Sequence, residues 1–395
     1  MLDQEVSLEA VWVQDGDCDI AEFARHAERE TLLEHYPSAA EITGNLPVYD
    51  GRALDKLFSD EDDARAVMAE MNRSFRSGPG IVAIKEGYAD LSLIDAVTEH
   101  LTAIIDEEEA AGTGRGDHFA AAGANSRMWN AHEKLCMRAP ELYVHYNSSE
   151  ILRRVCESWL GPAYQITTQV NVVRPGGKAQ TAHRDYHMGF QSAEVLQDYP
   201  ASQHLLSAAL TLQGAIAHCD MPVESGPTKM LPYSQSYAAG YVAVLRPEFR
   251  AYFEEHFVQL PLEKGDLLFF NPATFHAAGD NTTSDIQRIA NLMQIGSAYG
   301  RSTEIVDRSR ISKQVYPLLA EMKASGALSH RQIDNVVAAT AEGYPFPVNL
   351  DLDSPLSGMA PPSQQDIMRQ AISEGWTADA FAAAVNEQDE RKRTF

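Results

Sequence analysis

Gln180-Thr181-Ala182-His183-Arg184-Asp185-Tyr186-His187 is the stretch whose reading decides the fold. It reads as part of a sheet, and on an extended segment residues two apart leave the same face, so His183 and Asp185 are presented together. An imidazole and a carboxylate so placed are two of the three ligands of a facial site built from two histidines and one carboxylate. The third ligand must come from a distant strand. Phe275-His276, after the run Gly265-Asp266-Leu267-Leu268-Phe269-Phe270, is well placed to supply it. Further on, Arg288 precedes the apolar run Ile289-Ala290-Asn291-Leu292-Met293. A permanently charged, forked guanidinium near a metal suits capture of a cosubstrate carboxylate.

A lone His-x-Asp is a weak signal, and the chain carries a second copy, His218-Cys219-Asp220. Either pair alone is ordinary structure more often than a metal site. The first copy gains weight from His276 and Arg288, which follow strands in the order the site requires. The second runs directly into Met221-Pro222-Val223-Glu224-Ser225-Gly226. Cys219 has no identifiable base beside it and does not read as a nucleophile.

Outward from this stretch, residues 164–295 show short apolar runs separated by glycine, proline and polar breaks. Strands are expected over 164–173, over 205–217, over 261–270 with Lys264-Gly265-Asp266 as a turn, and over 289–295. Many short strands with regular turns indicate a sandwich or barrel. Ser77-Gly78-Pro79-Gly80 is a strong breaker, followed by a strand at 81–84 and a helix over 91–109. The glycine-rich stretch 112–130 is too long for an idle connector and reads as a lid, a substrate wall or a surface loop. If it folds over the pocket, Arg127 and Trp129 line it. Tyr186 and His187 adjoin the ligand pair and could meet the substrate, although His187 could equally orient His183.

The ends of the chain read as helical. Helices are expected over 19–36, capped by Asp19, and over 60–75, where the acidic cluster Asp60-Glu61-Asp62-Asp63 suits a first turn rather than a metal site. Others are expected over 310–323, over 329–342 with a capping box at Ser329 and Gln332, and from Ser363 and Thr377 onward. The tail 389–393 reads as solvated. The expected domains are an N-terminal helical extension over 1–76, a core over 77–300 and a C-terminal helical extension over 301–395.

The chain has 395 residues, 44% hydrophobic and 22% charged, ample for a core. Its formal net charge of −24 argues against nucleic acid or an anionic membrane as a partner. The four cysteines, Cys18, Cys136, Cys156 and Cys219, stand far apart, as expected of reduced thiols rather than a disulfide framework. No signal-peptide pattern opens the sequence and no run is long enough to span a bilayer, so a cytoplasmic protein is expected.

His183-Arg184-Asp185, Glu224-Ser225-Gly226-Pro227 with Leu231-Pro232-Tyr233-Ser234-Gln235, and His276 with Arg288 together resemble the phytanoyl-CoA dioxygenase-like branch of the Fe(II)/2-oxoglutarate-dependent oxygenases. The likeness spans roughly 79–297. The middle segment departs from the family's Glu-Asn-Gly…Pro-Gly-Ser-His, with Ser225 for Asn and Tyr233-Ser234-Gln235 for Gly-Ser-His.

The resemblance implies an α+β protein with a double-stranded β-helix core, jelly-roll or cupin-like, flanked by N- and C-terminal helices. It implies His183, Asp185 and His276 as catalytic iron ligands, Arg288 as the clamp on 2-oxoglutarate, and Asn171 as a further 2-oxoglutarate contact. Gln169, on the same strand, is another candidate. The cofactors implied are Fe(II), 2-oxoglutarate and O2, with ascorbate as a supporting reductant. The activity implied is hydroxylation of a small molecule with release of succinate and CO2. The alternatives are desaturation or ring chemistry at the same site, or a non-catalytic cupin-like metal-binding protein. Halogenating relatives lack the carboxylate ligand, and Asp185 is present. A homo-oligomer is compatible with the extra helices.

Overall fold

The computed structural model describes residues 11–113, 125–345, 348–355 and 359–393. Eleven strands are found there: β1 (Glu41–Thr43), β2 (Leu46–Asp50), β3 (Ile81–Lys85), β4 (Asn125–Met128), β5 (Gln165–Val173), β6 (Thr211–Ala217), β7 (Lys229–Leu231), β8 (Val258–Gln259), β9 (Leu267–Phe270), β10 (Phe275–Ala277) and β11 (Arg288–Gly296). Eight of them form one sheet in the order β1-β2-β3-β9-β6-β11-β5-β4, and three form a second in the order β10-β7-β8. The protein is a mixed helix-and-sheet fold with a double-stranded β-helix core.

The chain divides into two compact units. The first comprises 1–89, 115–127 and 171–293 and contains both candidate ligand pairs. Its two layers follow from side-chain alternation. In β7 and β10, Leu231, Phe275 and Ala277 enter one apolar cluster with Phe23, Tyr237, Tyr241, Phe249 and Phe253. Met230, which is paired with His276, turns the other way, into a second cluster with Leu268 and Phe270 of β9, Ala217 of β6 and Ala290 of β11. The second cluster is the core between the two sheets. Gln213 lies opposite Phe270 in register, and Arg288 is two residues from Ala290, so alternation puts both on the inner face of the large sheet.

Several expectations need correction here. The segment 1–76 is not the purely helical extension expected, since β1 and β2 lie within it, and β2 pairs parallel with β3. Leu46 and Val48 are buried in the inter-sheet core, and that burial outweighs the weak local signal of a very short strand. The expected helix 19–36 is only Ile20–Ala27, capped as expected by Asp19. It stops because the backbone beyond it is committed to Asn45: Thr31 N donates to Asn45 Oδ1 at 2.7 Å, and Asn45 Nδ2 donates to the Arg29 carbonyl at 2.8 Å. The first half of the run 205–217 belongs to a helix, Ala201–Ala209, on which Leu205 and Leu206 are exposed; only its second half is strand. The stretch 112–130 ends in β4, and 114–124, the rest of the expected lid or wall, lies outside the described residues.

The second unit comprises 90–114, 128–170 and 294–395 and is mainly helical. Its helices Leu91–Ala110, Arg308–Ser325 and His330–Thr340 stand close to expectation, the last with its Ser329–Gln332 capping box. Ser363 also forms a capping box, with Asp366, and the tail expected to be solvated is helical to Lys392. Asp334 ties three helices together, accepting from Arg153 at 2.5 Å and Arg369 at 2.6 Å. His132 is buried and bonded to Tyr143 and the Ala339 carbonyl, and burial lowers its pKa to about 3. No helix among the described residues is long and apolar enough to cross a membrane.

Candidate metal centre

His183 does not sit in a strand. It forms an isolated antiparallel bridge with His276, each backbone N–H donating to the other's carbonyl, at 3.0 and 3.1 Å. This corrects the reading of 180–187 as sheet, and the geometry expected of a sheet is nonetheless met at this one pair. The two imidazole centroids are 4.4 Å apart. Asp185 is held next to them because its N–H donates to the Pro272 carbonyl at 2.9 Å. Asp185 Oδ2 lies 3.8 Å from His183 Nε2 and 3.5 Å from His276 Nε2. One ligand atom from each of the three residues falls within 4.8 Å of the others, a group that could hold a metal ion. The second copy contributes no such group among the described residues. Its Asp220 Oδ1 accepts the Lys264 N–H at 3.0 Å, a turn contact.

The protonation of the site suits a metal. His183 Nδ1 lies 2.9 Å from the Thr181 carbonyl and His276 Nδ1 lies 2.8 Å from that of Thr274. A carbonyl can only accept, so both Nδ1 atoms carry the proton and both Nε2 lone pairs face Asp185. The Thr181 carbonyl thus helps to orient the His183 ring. Burial and the neighbouring His276 lower the His183 pKa against the pull of Asp185, which favours the neutral, ligating imidazole. Burial would raise Asp185, but His183, His276 and a 2.8 Å bond from Gln213 Nε2 outweigh it and hold its pKa at about 2. Gln213 carries no signal of its own in the sequence. Only its register opposite Phe270 reveals it, and register is not legible without the fold.

Arg288 is 5% exposed, and its nearest polar partner is the Ser225 carbonyl, 3.5 Å from Nη1. No carboxylate among the described residues pairs with it. Burial lowers its pKa to about 10, so it remains a cation at neutral pH. A buried guanidinium without an anion is costly unless something completes it. Asn171 is also buried, and its Oδ1 has no hydrogen-bond partner among the described residues; Gln213 Oε1 is in the same condition. The donor set, the proton positions and the uncompensated cation fit iron and a dicarboxylate cosubstrate.

The remaining candidates are placed unevenly. Arg127, on β4, is close enough for its charge to lower the His183 pKa. Tyr186 is buried, with its ring edge-on to the exposed Phe190 at 5.2 Å. His187 has φ +53° and opens a short 3-10 helix. Gln169 and Trp129 belong to the second unit. Arg184, between the two ligands, has no role legible in the sequence, yet it is 2% exposed and donates from Nη2 to the carbonyls of Ser234 at 2.6 Å and Tyr237 at 3.0 Å.

A double-stranded β-helix with two imidazoles and a carboxylate gathered at its inner face defines the class of iron- and 2-oxoglutarate-dependent enzymes. Within that class the chain belongs to the phytanoyl-CoA dioxygenase (PhyH) family, whose model matches residues 78–290. Its cofactors are iron and 2-oxoglutarate.

Among solved structures it is similar to the non-heme alpha ketoglutarate dependent carbocyclase SnoK from nogalamycin biosynthesis, at 20% identity and a TM-score of 0.44 over 63% of this chain and 92% of that one. It is also similar to the epimerase SnoN from the same biosynthesis, at 17% identity and a TM-score of 0.39 over 59% of this chain and 84% of that one. A complex of SnoN with Fe3+, alpha ketoglutarate and nogalamycin RO matches at 18% identity and a TM-score of 0.40, over 59% and 85%. No curated protein matches the chain.

Proposed function

We propose that this protein is an Fe(II)- and 2-oxoglutarate-dependent dioxygenase that hydroxylates a small molecule. The observation that carries the reading is Arg288, a buried cation without a carboxylate on the inner face of the sheet that also presents Gln213 to Asp185. A protein that merely stores a metal has no use for such a group, whereas a dicarboxylate cosubstrate completes it. His183, Asp185 and His276 would hold the metal through Nε2, a carboxylate oxygen and Nε2. Gln213 keeps the Asp185 carboxylate turned toward the histidines, and the Thr181 and Thr274 carbonyls keep both rings in the ligating tautomer. Arg288 would take the far carboxylate of 2-oxoglutarate and fix its direction of entry, with the Asn171 amide as a second polar contact.

When bound, iron with 2-oxoglutarate supplies the oxidising power that couples decarboxylation of the cosubstrate to insertion of oxygen into a C–H bond. The balance is substrate, O2 and 2-oxoglutarate giving alcohol, succinate and CO2. The test is a metabolite mixture incubated with protein, iron, ascorbate and 2-oxoglutarate, read by mass spectrometry. The expected result is a substrate-dependent gain of one oxygen with matching succinate. Loss of two hydrogens would replace hydroxylation by desaturation, and the absence of succinate under every condition would overturn the oxygenase reading.

A further inference from the structure

We propose that Arg184 and Tyr241 form a positioning device for the Asp185 ligand, resting on the reading of His183, Asp185 and His276 as the metal centre. Arg184 stands between two of these residues, and its side chain lies among Tyr237, Tyr241 and Phe275, members of the apolar cluster distinct from the inter-sheet core. There its guanidinium is buried without an acidic partner among the described residues. It is held by the Ser234 and Tyr237 carbonyls and lies over the rings of Tyr241 at 5.0 Å and Phe275 at 5.3 Å.

A buried arginine can be mere packing. Here the partners themselves return to the metal centre. The Tyr241 hydroxyl donates to the Asp185 carbonyl at 3.0 Å, and Phe275 immediately precedes His276. Ser207 closes the arrangement: its hydroxyl lies 3.0 Å from the Tyr186 carbonyl and 3.3 Å from the Tyr241 oxygen. The backbone of Asp185 and Tyr186 is thus fixed by two hydroxyls while Arg184 sets the position of the Tyr241 ring.

The fit leaves no slack. A Cβ on Gly240 would lie 1.9 Å from Arg184 Nη2, and one on Gly189 would lie 2.0 Å from the Arg184 carbonyl. Gly189 is therefore required by its close approach to backbone, and a Cβ at Gly240 would displace the Arg184 guanidinium; both approaches are to the residue between the ligands. The carboxylate of Asp185 is consequently delivered by a braced loop rather than by a strand.

The experiment uses the full chain, anaerobic, with Fe(II) titrated by metal analysis after equilibrium dialysis. The visible absorption of the iron–2-oxoglutarate complex is a second readout, and melting temperature is followed in parallel. Tyr241→Phe keeps the ring under Arg184 and removes only the hydroxyl. It should retain the fold and weaken Fe(II) binding by about threefold to tenfold, the effect of one lost hydrogen bond. Arg184→Met and Arg184→Lys should both weaken binding further, since lysine keeps the charge but cannot reach two carbonyls as a fork. Wild-type Fe(II) affinity in a folded Tyr241→Phe protein would overturn the proposal and leave these residues as packing only. Failure of the wild-type protein itself to bind Fe(II) would overturn the metal centre, and this inference with it.

Discussion

Asp185 and Asp220 each stand two residues after a histidine, and their surroundings separate them. Asp185 is bracketed by two Nε2 atoms and a glutamine amide, whereas Asp220 is exposed and accepts one backbone N–H. Asp185→Ala is expected to abolish iron binding with the fold retained, because it removes a ligand without opening a large cavity. Asp220→Ala is expected to keep iron and to lose about 0.5–1.5 kcal/mol of stability, the contribution of one hydrogen bond. Metal content and melting temperature measured side by side decide this, and the opposite pattern would invert the assignment. Arg288→Ala should leave iron binding largely intact and raise the 2-oxoglutarate requirement. Losing a charge-assisted fork costs about 1.5–3 kcal/mol, on the order of tenfold or more in affinity. An unchanged 2-oxoglutarate titration would mean that another cation holds the cosubstrate.

At the scale of elements, the helices of the second unit depend on a few charged contacts as well as on apolar stripes. Asp334, on His330–Thr340, joins Arg153 of Glu150–Leu160 to Arg369 of Gln364–Glu374. All three side chains are only partly buried, so Asp334→Asn should cost about 1–3 kcal/mol, between the values for exposed and for buried pairs. Burial opposes ionisation of Asp334, but Arg369 and Arg153 outweigh it, and its folded pKa is lowered. The stabilisation is therefore complete above the unfolded pKa of about 4 and lost as pH falls through the lower folded value. Urea midpoints of wild type and Asp334→Asn should differ at pH 7 and converge once the pH falls below the lowered folded pKa of Asp334; a gap that persists in acid would mean that packing, not charge, is responsible. Elements announced by caps were legible in the sequence: Asp19, Ser329 and Thr377 each mark a true helix start. Elements defined only by their neighbours were not, since β1 and β2 are short and specified by pairing with each other and, for β2, with β3.

For the whole molecule, the candidate triplet that the fold gathers, His183, Asp185 and His276, was readable because its residue types carry the chemistry. Gln213 and the brace around Arg184 were not readable, because they depend on register and on contacts far apart in the chain. Binding of iron and 2-oxoglutarate to the folded state alone should raise stability by mass action, about 2.7 kcal/mol at a hundredfold excess over Kd. Thermal melts should therefore rise by several degrees on adding both under nitrogen and fall back with a chelator, and Asp185→Ala should show no such shift. An identical melt with and without the pair would contradict a preformed site.

The reciprocal backbone bridge between His183 and His276 has a consequence for how such a protein can diversify. The two histidines are fastened to each other directly, so their spacing does not depend on the length of the chain that joins them. The outer face of Ala201–Ala209, with Leu205 and Leu206 exposed, is free to exchange side chains, whereas Ser207 on its buried face is not. Related chains can thus differ along the exposed part of this excursion while the two histidines keep their separation.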